Sequence, residues 1–103
     1  MIRVDVLYPN IEGRKFDMRY YCETHIPMVR QKLGAACKGV AVEAGLGGAE
    51  PGSPAAYVAM GHLLFDSVEA FQTAFAPHAQ AIMGDIPNYT DLQPTIQIGE
   101  VKI

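Results

Sequence analysis

The sequence lacks the features by which several common protein classes are recognised. It has no tryptophan, and it contains no GxGxxG after a strand, no GxxxxGK and no GxSxG, so nucleotide-dependent and serine-hydrolase chemistry are disfavoured. No stretch approaches the roughly 18 consecutive apolar residues of a membrane-spanning helix. The N-terminus opens with MIRVDVLY rather than an export signal, which predicts a cytoplasmic protein with no membrane partner.

Concentrated positive charge and metal-binding spacing are also missing. The net charge is -3, and the eight basic residues are scattered from Arg3 to Lys102, which argues against a nucleic-acid partner. Cys22 and Cys37 form no CxxC pair, so we expect free structural thiols rather than a disulfide. No histidine belongs to an H-x-x-x-H unit, and we expect neither a metal nor a cofactor.

The pattern that is present predicts one α+β domain over residues 1–103. Half of the residues are apolar, enough for one globular core. Period-two alternation predicts strands over residues 2–8 and 95–102. A short strand over residues 38–44 and a strand over 56–65 that is apolar on both faces are also predicted. Helical spacing predicts a first helix from Asp17 to Gly34 and a second from Ser67 to Gly84. The predicted order is therefore βαββαβ.

Each predicted helix contains a proline that should disturb it. Pro27 removes a backbone donor, so the first helix should kink or restart near Thr24, and this re-aims His25. Pro77 should bend or divide the second helix. The first helix should bury a stripe made of Met18, Tyr21/Cys22, His25/Ile26, Val29 and Leu33. The second should bury Val68, Phe71, Phe75, Ala79 and Ile82.

Two helices cover only one face of a four-stranded sheet, which predicts a ferredoxin-like antiparallel sheet with one face open. In the strand over residues 56–65, that open face carries Val58, Met60, His62 and Leu64. These four side chains are together too apolar to be left exposed to water. We therefore expect a homodimer in which two such faces meet.

Three segments resemble the EthD family: YYCETHIPMV at 20–29, FDSVEAF at 65–71 and DIPNYTDLQP at 85–94. The likeness spans about residues 2–100. It implies a ferredoxin-like subunit that dimerises into an α/β barrel, with a cavity between sheet and helices. The family is named for bacterial degradation of ethyl tert-butyl ether, where the protein accompanies an oxidising system. Relatives with this barrel include monooxygenases, polyketide cyclases, lactone isomerases and haem-handling enzymes, so the fold does not select a reaction.

His25 is the candidate catalytic residue because it lies on the apolar stripe of the first helix beside Pro27. A neutral imidazole there can both accept and donate a proton. The simpler interpretation is a buried ring that bonds a backbone carbonyl across the kink. His78, next to Pro77, is expected at the edge of the core or exposed, and without a role.

The candidate substrate-binding residues offer hydroxyls, an amide, a carboxylate and a second imidazole. Asp5 and Gln97 fall on the polar sides of neighbouring strands, where they can form a patch with Arg3. A cross-strand ion pair of Arg3 with Asp5 or with a glutamate, or packing of the tyrosines at helix–sheet edges, is the simpler interpretation. For His62 that interpretation is an interface hydrogen bond. The full set is Asp5, Tyr20, Tyr21, Tyr57, His62 and Gln97.

These residues predict a protein that binds a small apolar organic molecule between the first helix and the sheet. As an enzyme it would be a cofactor-independent oxidoreductase, isomerase or dehydratase that moves a proton through His25. The alternative is a non-catalytic accessory or binding protein that supports a partner oxidase. A third hypothesis is haem handling, with His25 or His62 as axial ligand.

Overall fold

The fold is a four-stranded antiparallel sheet with all helical segments after the first and third strands. The computed structural model describes residues 1–103, and its strand order is β2-β3-β1-β4. The strands are β1 (Ile2–Pro9), β2 (Gly39–Ala44), β3 (Tyr57–Phe65) and β4 (Thr95–Glu100). The α-helices are α1 (Met18–Tyr20), α2 (Ile26–Leu33), α3 (Val68–Phe75) and α4 (Ala79–Gly84). This confirms the ferredoxin-like βαββαβ fold. None of the helices is long and apolar enough to cross a membrane.

The first helical region begins where the sequence predicts and changes its winding before Pro27. The Asp17 side chain accepts a hydrogen bond from the Tyr20 backbone N–H and caps α1. A π-helical turn over Tyr21–His25 joins α1 to α2, and in it the Ile26 N–H donates to the Tyr21 carbonyl. Such wider turns are rare and often occur at functional sites.

The π turn corrects two expectations. The disturbance lies where Pro27 predicts it, but the chain does not restart at a Thr24 cap, because no side chain caps α2. Cys22, expected on the buried stripe, is exposed, since the wider turn rotates it away while Tyr21 and His25 face the sheet. Both cysteines are free thiols.

The second helical region is divided as expected. The Ser67 hydroxyl accepts from the Ala70 N–H and caps α3. A 3-10 turn over Ala76–His78, which contains Pro77, then separates α3 from α4. Val68 was expected to be buried, but it is 39% exposed, because it lies in the first turn of α3 at the rim of the packed surface.

The core consists of two adjoining clusters on the helix-covered side of the sheet. An aliphatic cluster joins β1, β3, α2 and α4 around Phe65. An aromatic cluster contains Tyr8, Tyr21 and Tyr89 together with Ala59 and Leu92. The two clusters share the same face of the sheet, and the cavity described below lies where they adjoin.

Gly61 in β3 is required by the close approach of Tyr21. The Tyr21 hydroxyl occupies the space where a Cβ on Gly61 would stand. The ring cannot move away freely, because it is 1% exposed and packs against Tyr8 and Phe16. The small residues of β3 therefore create room for a polar side chain and not only for close helix packing.

Gly61→Ala is accordingly expected to lower the free energy of unfolding by about 1–3 kcal/mol, because overpacking displaces the Tyr21 ring. Gly99→Ala is the matched control, since Gly99 also lies in a strand and has nothing within 4 Å of its Cβ position. Urea unfolding of the two variants measures the difference. Equal stability of the two alanine variants would contradict this packing account.

Candidate functional site

A cavity of about 280 Å³ lies between the helices and the sheet. Of its 16 lining residues, 14 are hydrophobic. The other two are His25 and Gly61, so His25 is the one wall residue that ordinarily titrates near neutral pH. The wall contains no lysine and no arginine. Its mouth includes the exposed side chains of Met83 and Ile96. The cavity is therefore an apolar chamber with one imidazole in its wall.

His25 is held by the carboxylate of Asp85, the residue that follows the last residue of α4. Its Nδ1 lies 2.9 Å from Oδ2 of Asp85. The imidazole is only 4% exposed, and it stacks on Tyr21 with the ring planes 14° apart. The π turn places both rings side by side on the sheet-facing side of the helix. The partner of His25 is thus a carboxylate and not the backbone carbonyl of the simpler interpretation.

Asp85 is itself fixed by two further donors. The Tyr20 hydroxyl donates to Oδ1 at 2.8 Å, and the Asn88 amide donates to the same oxygen at 2.9 Å. Desolvation raises the pKa of Asp85, but the hydrogen bonds from Asn88, His25 and Tyr20 outweigh it and the pKa lies below its usual range. Asp85 is therefore an ionised acceptor at neutral pH.

This arrangement determines the tautomer of His25. Burial lowers the pKa of His25 below its ordinary value of 6.5, and Asp85 only partly opposes that shift. The imidazole is therefore neutral at neutral pH, and an ionised Asp85 can only accept, so the proton is on Nδ1. The lone pair is then on Nε2 at the opposite edge of the ring.

Nε2 is accessible from the cavity. It forms no hydrogen bond within the protein, whereas every fully buried side-chain nitrogen or oxygen does have a partner. Nε2 must therefore retain access to small molecules, and His25 is part of the cavity wall. A neutral imidazole with its Nδ1 proton held by a carboxylate and its Nε2 free is arranged as a general base.

Tyrosines surround the imidazole on its other sides. The Tyr8 and Tyr89 hydroxyls are 2.5 Å apart in a buried hydrogen bond. The Tyr89 ring centroid lies 4.7 Å from that of His25. Burial raises the pKa of Tyr8, Tyr21 and Tyr89, so all three are neutral phenols that can donate hydrogen bonds.

The structure brings some of the predicted site residues together and separates others. His25 and Tyr21 line the cavity. Tyr20 lies behind them and acts on Asp85 through its hydroxyl. Tyr57 is half-buried and borders a shallow depression beside the 45–49 loop instead of the cavity.

Asp5, His62 and Gln97 lie on the open face of the sheet, opposite the cavity, so they do not join His25. Asp5 pairs with His62 on β3 and with Gln97 on β4 in the sheet register. The Arg3–Asp5 ion pair of the simpler interpretation is present at 2.8 Å. The alternation of β1 explains this placement, because Val4 and Val6 occupy the cavity side and leave Asp5 outside.

His62 lies between two carboxylates on this open face. Its Nδ1 is 2.6 Å from Asp5 and its Nε2 is 2.7 Å from Glu43. Both ring nitrogens donate to these acceptors only when the ring is an imidazolium. Desolvation lowers the pKa of His62, but the hydrogen bonds that the ring donates to Asp5 and Glu43 outweigh it and raise the pKa above its ordinary 6.5.

The raised pKa of His62 predicts how the stability of the folded protein depends on pH. The His62 contribution is fully present below the unfolded-state value of about 6.5 and is lost as pH rises through the folded-state value. The difference in unfolding free energy between the natural protein and His62→Gln should therefore shrink from about pH 6 to about pH 9. Urea midpoints measured across this range test it. His25 is present in both proteins, so its titration cancels from the difference in unfolding free energy. A difference that grows with pH would contradict an imidazolium at His62.

Neither histidine offers a haem site that fits. Both nitrogens of His62 are occupied by carboxylates, so neither has a free lone pair for iron. The cavity beside His25 has the volume of a small ligand and not of a porphyrin.

Sequence reasoning missed Asp85 and Tyr89 as site residues. Both lie in or beside the 3-10 turn Ile86–Asn88 that follows α4. Both belong to the segment DIPNYTDLQP, which carries part of the resemblance to the EthD family, so its carboxylate and tyrosine were a usable signal. What periodicity did not show is that Asp17 and Tyr89 pair through their backbones, which brings this segment against the first helix.

Comparison with known proteins identifies the family. The family model described as the EthD domain matches residues 12–93. The chain belongs to the EthD family. An EthD-like protein from Ralstonia eutropha JMP134 is 49% identical, with a TM-score of 0.95 over 99% of this chain and 92% of that chain. An ethyl tert-butyl ether (EthD) family protein from Bacillus halodurans C-125 is 23% identical, with a TM-score of 0.75 and 98% of each chain covered. No protein of curated function matches.

The part matched to the EthD domain includes His25, Asp85 and Tyr89, with both helical regions and the strands β2 and β3. It excludes β1 and β4, which contribute Tyr8 and Ile96 to the cavity wall. The imidazole and its carboxylate thus lie inside the EthD domain as matched, and two strands outside the match complete the chamber.

Proposed function

We propose that this EthD protein binds a small apolar organic molecule in the cavity and that His25 transfers a proton to or from it. The observation that carries the proposal is the His25–Asp85 pair, at 2.9 Å, in the wall of a chamber with 14 hydrophobic lining residues. Apolar contact supplies affinity, and the single free imidazole nitrogen supplies reactivity.

The charges around His25 support a proton-transfer role. When Nε2 takes a proton, the ring becomes an imidazolium that donates to the ionised Asp85, so the new positive charge has a partner already in place. Tyr20 and Asn88 hold that carboxylate still, which limits reorganisation during the step. Proton removal by such a base can begin a cofactor-independent isomerisation or dehydration, or an oxidation in which molecular oxygen is the oxidant.

The alternative role is that of a binding protein that carries an apolar molecule for a partner oxidase in bacterial catabolism. This role requires the same cavity but no proton transfer. The observation that favours the first role is that Asp85 bonds the imidazole edge opposite the cavity side, an arrangement that mere containment of a ligand does not require.

Binding is tested with tetralin, a neutral hydrocarbon probe. We expect a dissociation constant of about 10–500 μM, as is usual for a small apolar ligand in a preformed cavity. Ile96→Trp, which blocks the mouth, should weaken binding by about 10-fold or more. Ile98→Trp is the matched control, since Ile98 lies on the same strand at 40% exposure and outside the cavity wall. Titration followed by NMR measures both. Absence of binding, or equal effects of the two variants, would contradict the proposal.

We also propose that two subunits pair through the open faces of their sheets. Leu7, Val58, Met60 and Leu64 stand on this face, half-buried and covered by no other element. An apolar sheet face of this kind usually marks an interface, and identical chains satisfy it with a two-fold axis. Arg3 and an imidazolium at His62 balance Asp5 and Glu43, so such an interface would bury a neutral cluster.

A further inference from the structure

We infer that the substrate is an uncharged carbonyl compound from which His25 removes a proton on the carbon next to the carbonyl. The inference rests on the proposed cavity function and names its substrate class. It is supported by the small number of polar atoms in the cavity wall. One of them can accept a proton, and another can donate a hydrogen bond.

The first polar atom is Nε2 of His25, an unpartnered lone pair that accepts a proton. The second is the Tyr21 hydroxyl, which lies beside Gly61 and within reach of the Tyr8 hydroxyl, in a residue that lines the cavity. Tyr21 is a neutral phenol, so it presents an O–H donor. Both residues come from the same π turn and their rings stack 5.6 Å apart, so one small molecule can contact both.

Two neighbouring tyrosine hydroxyls support the role of the Tyr21 phenol as a hydrogen-bond donor. The Tyr8 hydroxyl is close to it and bonds the Tyr89 hydroxyl at 2.5 Å. Neighbouring hydroxyls in such a chain polarise one another and can accept or redistribute charge. A base and a neutral phenol that face one apolar chamber have the arrangement needed to form and stabilise an enolate.

The step balances without an oxidant or a cofactor. The C–H bond breaks and its proton forms an N–H bond with Nε2 of His25. The bonding pair becomes the C=C bond of an enolate, and the carbonyl oxygen takes the negative charge. The Tyr21 hydroxyl donates a hydrogen bond to that oxygen. Return of a proton from Nε2 to the same carbon or to another carbon gives exchange or isomerisation.

The wall also excludes charged substrates. No lysine or arginine lines the cavity, and the Asp85 carboxylate lies directly behind His25. A carboxylate ligand would lose its hydration without gaining a partner and would face a like charge. At about 30 Å³ per water-sized group, the cavity volume holds on the order of ten non-hydrogen atoms, which is the size of a substituted bicyclic or a short-chain ketone.

The test uses three probes with one skeleton: 2-tetralone, tetralin and tetrahydro-2-naphthoate. In D2O, NMR should show saturable exchange of the protons next to the carbonyl of 2-tetralone. Tyr21→Phe should lower that exchange by about 10²-fold, as loss of an oxyanion donor does. Tyr57→Phe, in a half-buried tyrosine outside the cavity wall, should leave it unchanged. Tetrahydro-2-naphthoate should bind at least about 10-fold more weakly than tetralin.

Three results would overturn the inference: no exchange, equal exchange in Tyr21→Phe and the natural protein, or binding of the carboxylate as tight as that of tetralin. If tetralin binds and exchange is absent, only the substrate class is wrong and the binding cavity stands. If neither tetralin nor 2-tetralone binds, the proposed function is wrong with it.

Discussion

Replacing His25 with asparagine is expected to leave a folded protein in which proton exchange of 2-tetralone is lowered by about 10²-fold or more. Asparagine keeps much of the size of the ring and can still contact Asp85, but it cannot take a proton near neutral pH. In the natural protein, kcat/KM should rise with pH to a plateau. Its midpoint should lie below 6.5, because burial lowers the pKa of His25.

Two further variants sharpen this result. Asp85→Asn should also lower exchange, by about 10²–10⁴-fold, because an amide donor at that position favours the tautomer with the proton on Nε2. His78→Asn is the control, since His78 lies in the 3-10 turn between α3 and α4 and outside the cavity wall. A His25→Asn protein that unfolds while His78→Asn stays folded, or one that is folded and fully active, would contradict the assignment of a general base.

Leu64→Lys is expected to convert a dimer into a folded monomer. In the proposed two-fold pairing each open face contributes one Leu64, so the variant buries two unpaired charges in an apolar contact. Burying an unpaired charge costs about 3–5 kcal/mol, which raises the dissociation constant of the dimer by about 10³-fold or more. Sedimentation at micromolar concentration measures the masses of both proteins.

The control for this prediction is Leu46→Lys, the same substitution at a loop position that is 99% exposed. It should remain dimeric. A natural protein that sediments as a monomer would contradict the proposed pairing, as would a Leu64→Lys protein that remains a dimer.

The sequence predicted the fold well because its signals are local. Alternation in β1 and β3 sorted Val4 from Asp5 and Leu63 from Leu64 correctly. Pro27 and Pro77 marked the positions where the helical winding changes. Periodicity assumed a regular α-helix, however, and therefore placed Cys22 on the buried stripe, where the π turn removes it.

The site was only half predictable because part of it depends on contacts distant in sequence. His25 and Tyr21 were found from the stripe and the proline. Asp85 lies 60 residues from His25, in a connector with no period, so nothing local predicted their pairing. Polarity alone favoured Asp5 and Gln97 as substrate-binding residues. They can be excluded only when it is known which face of the sheet holds the cavity.

The most direct test of the central claim is NMR of the imidazole nitrogens of His25 at about pH 7, without and with tetralin. The structure predicts a neutral ring that carries its proton on Nδ1 with Nε2 unprotonated, and a tetralin-induced shift at Nε2 of His25 that is absent from His78. An imidazolium at His25, or binding of tetralin that leaves the His25 resonances unchanged, would contradict a free base in the wall of the ligand cavity.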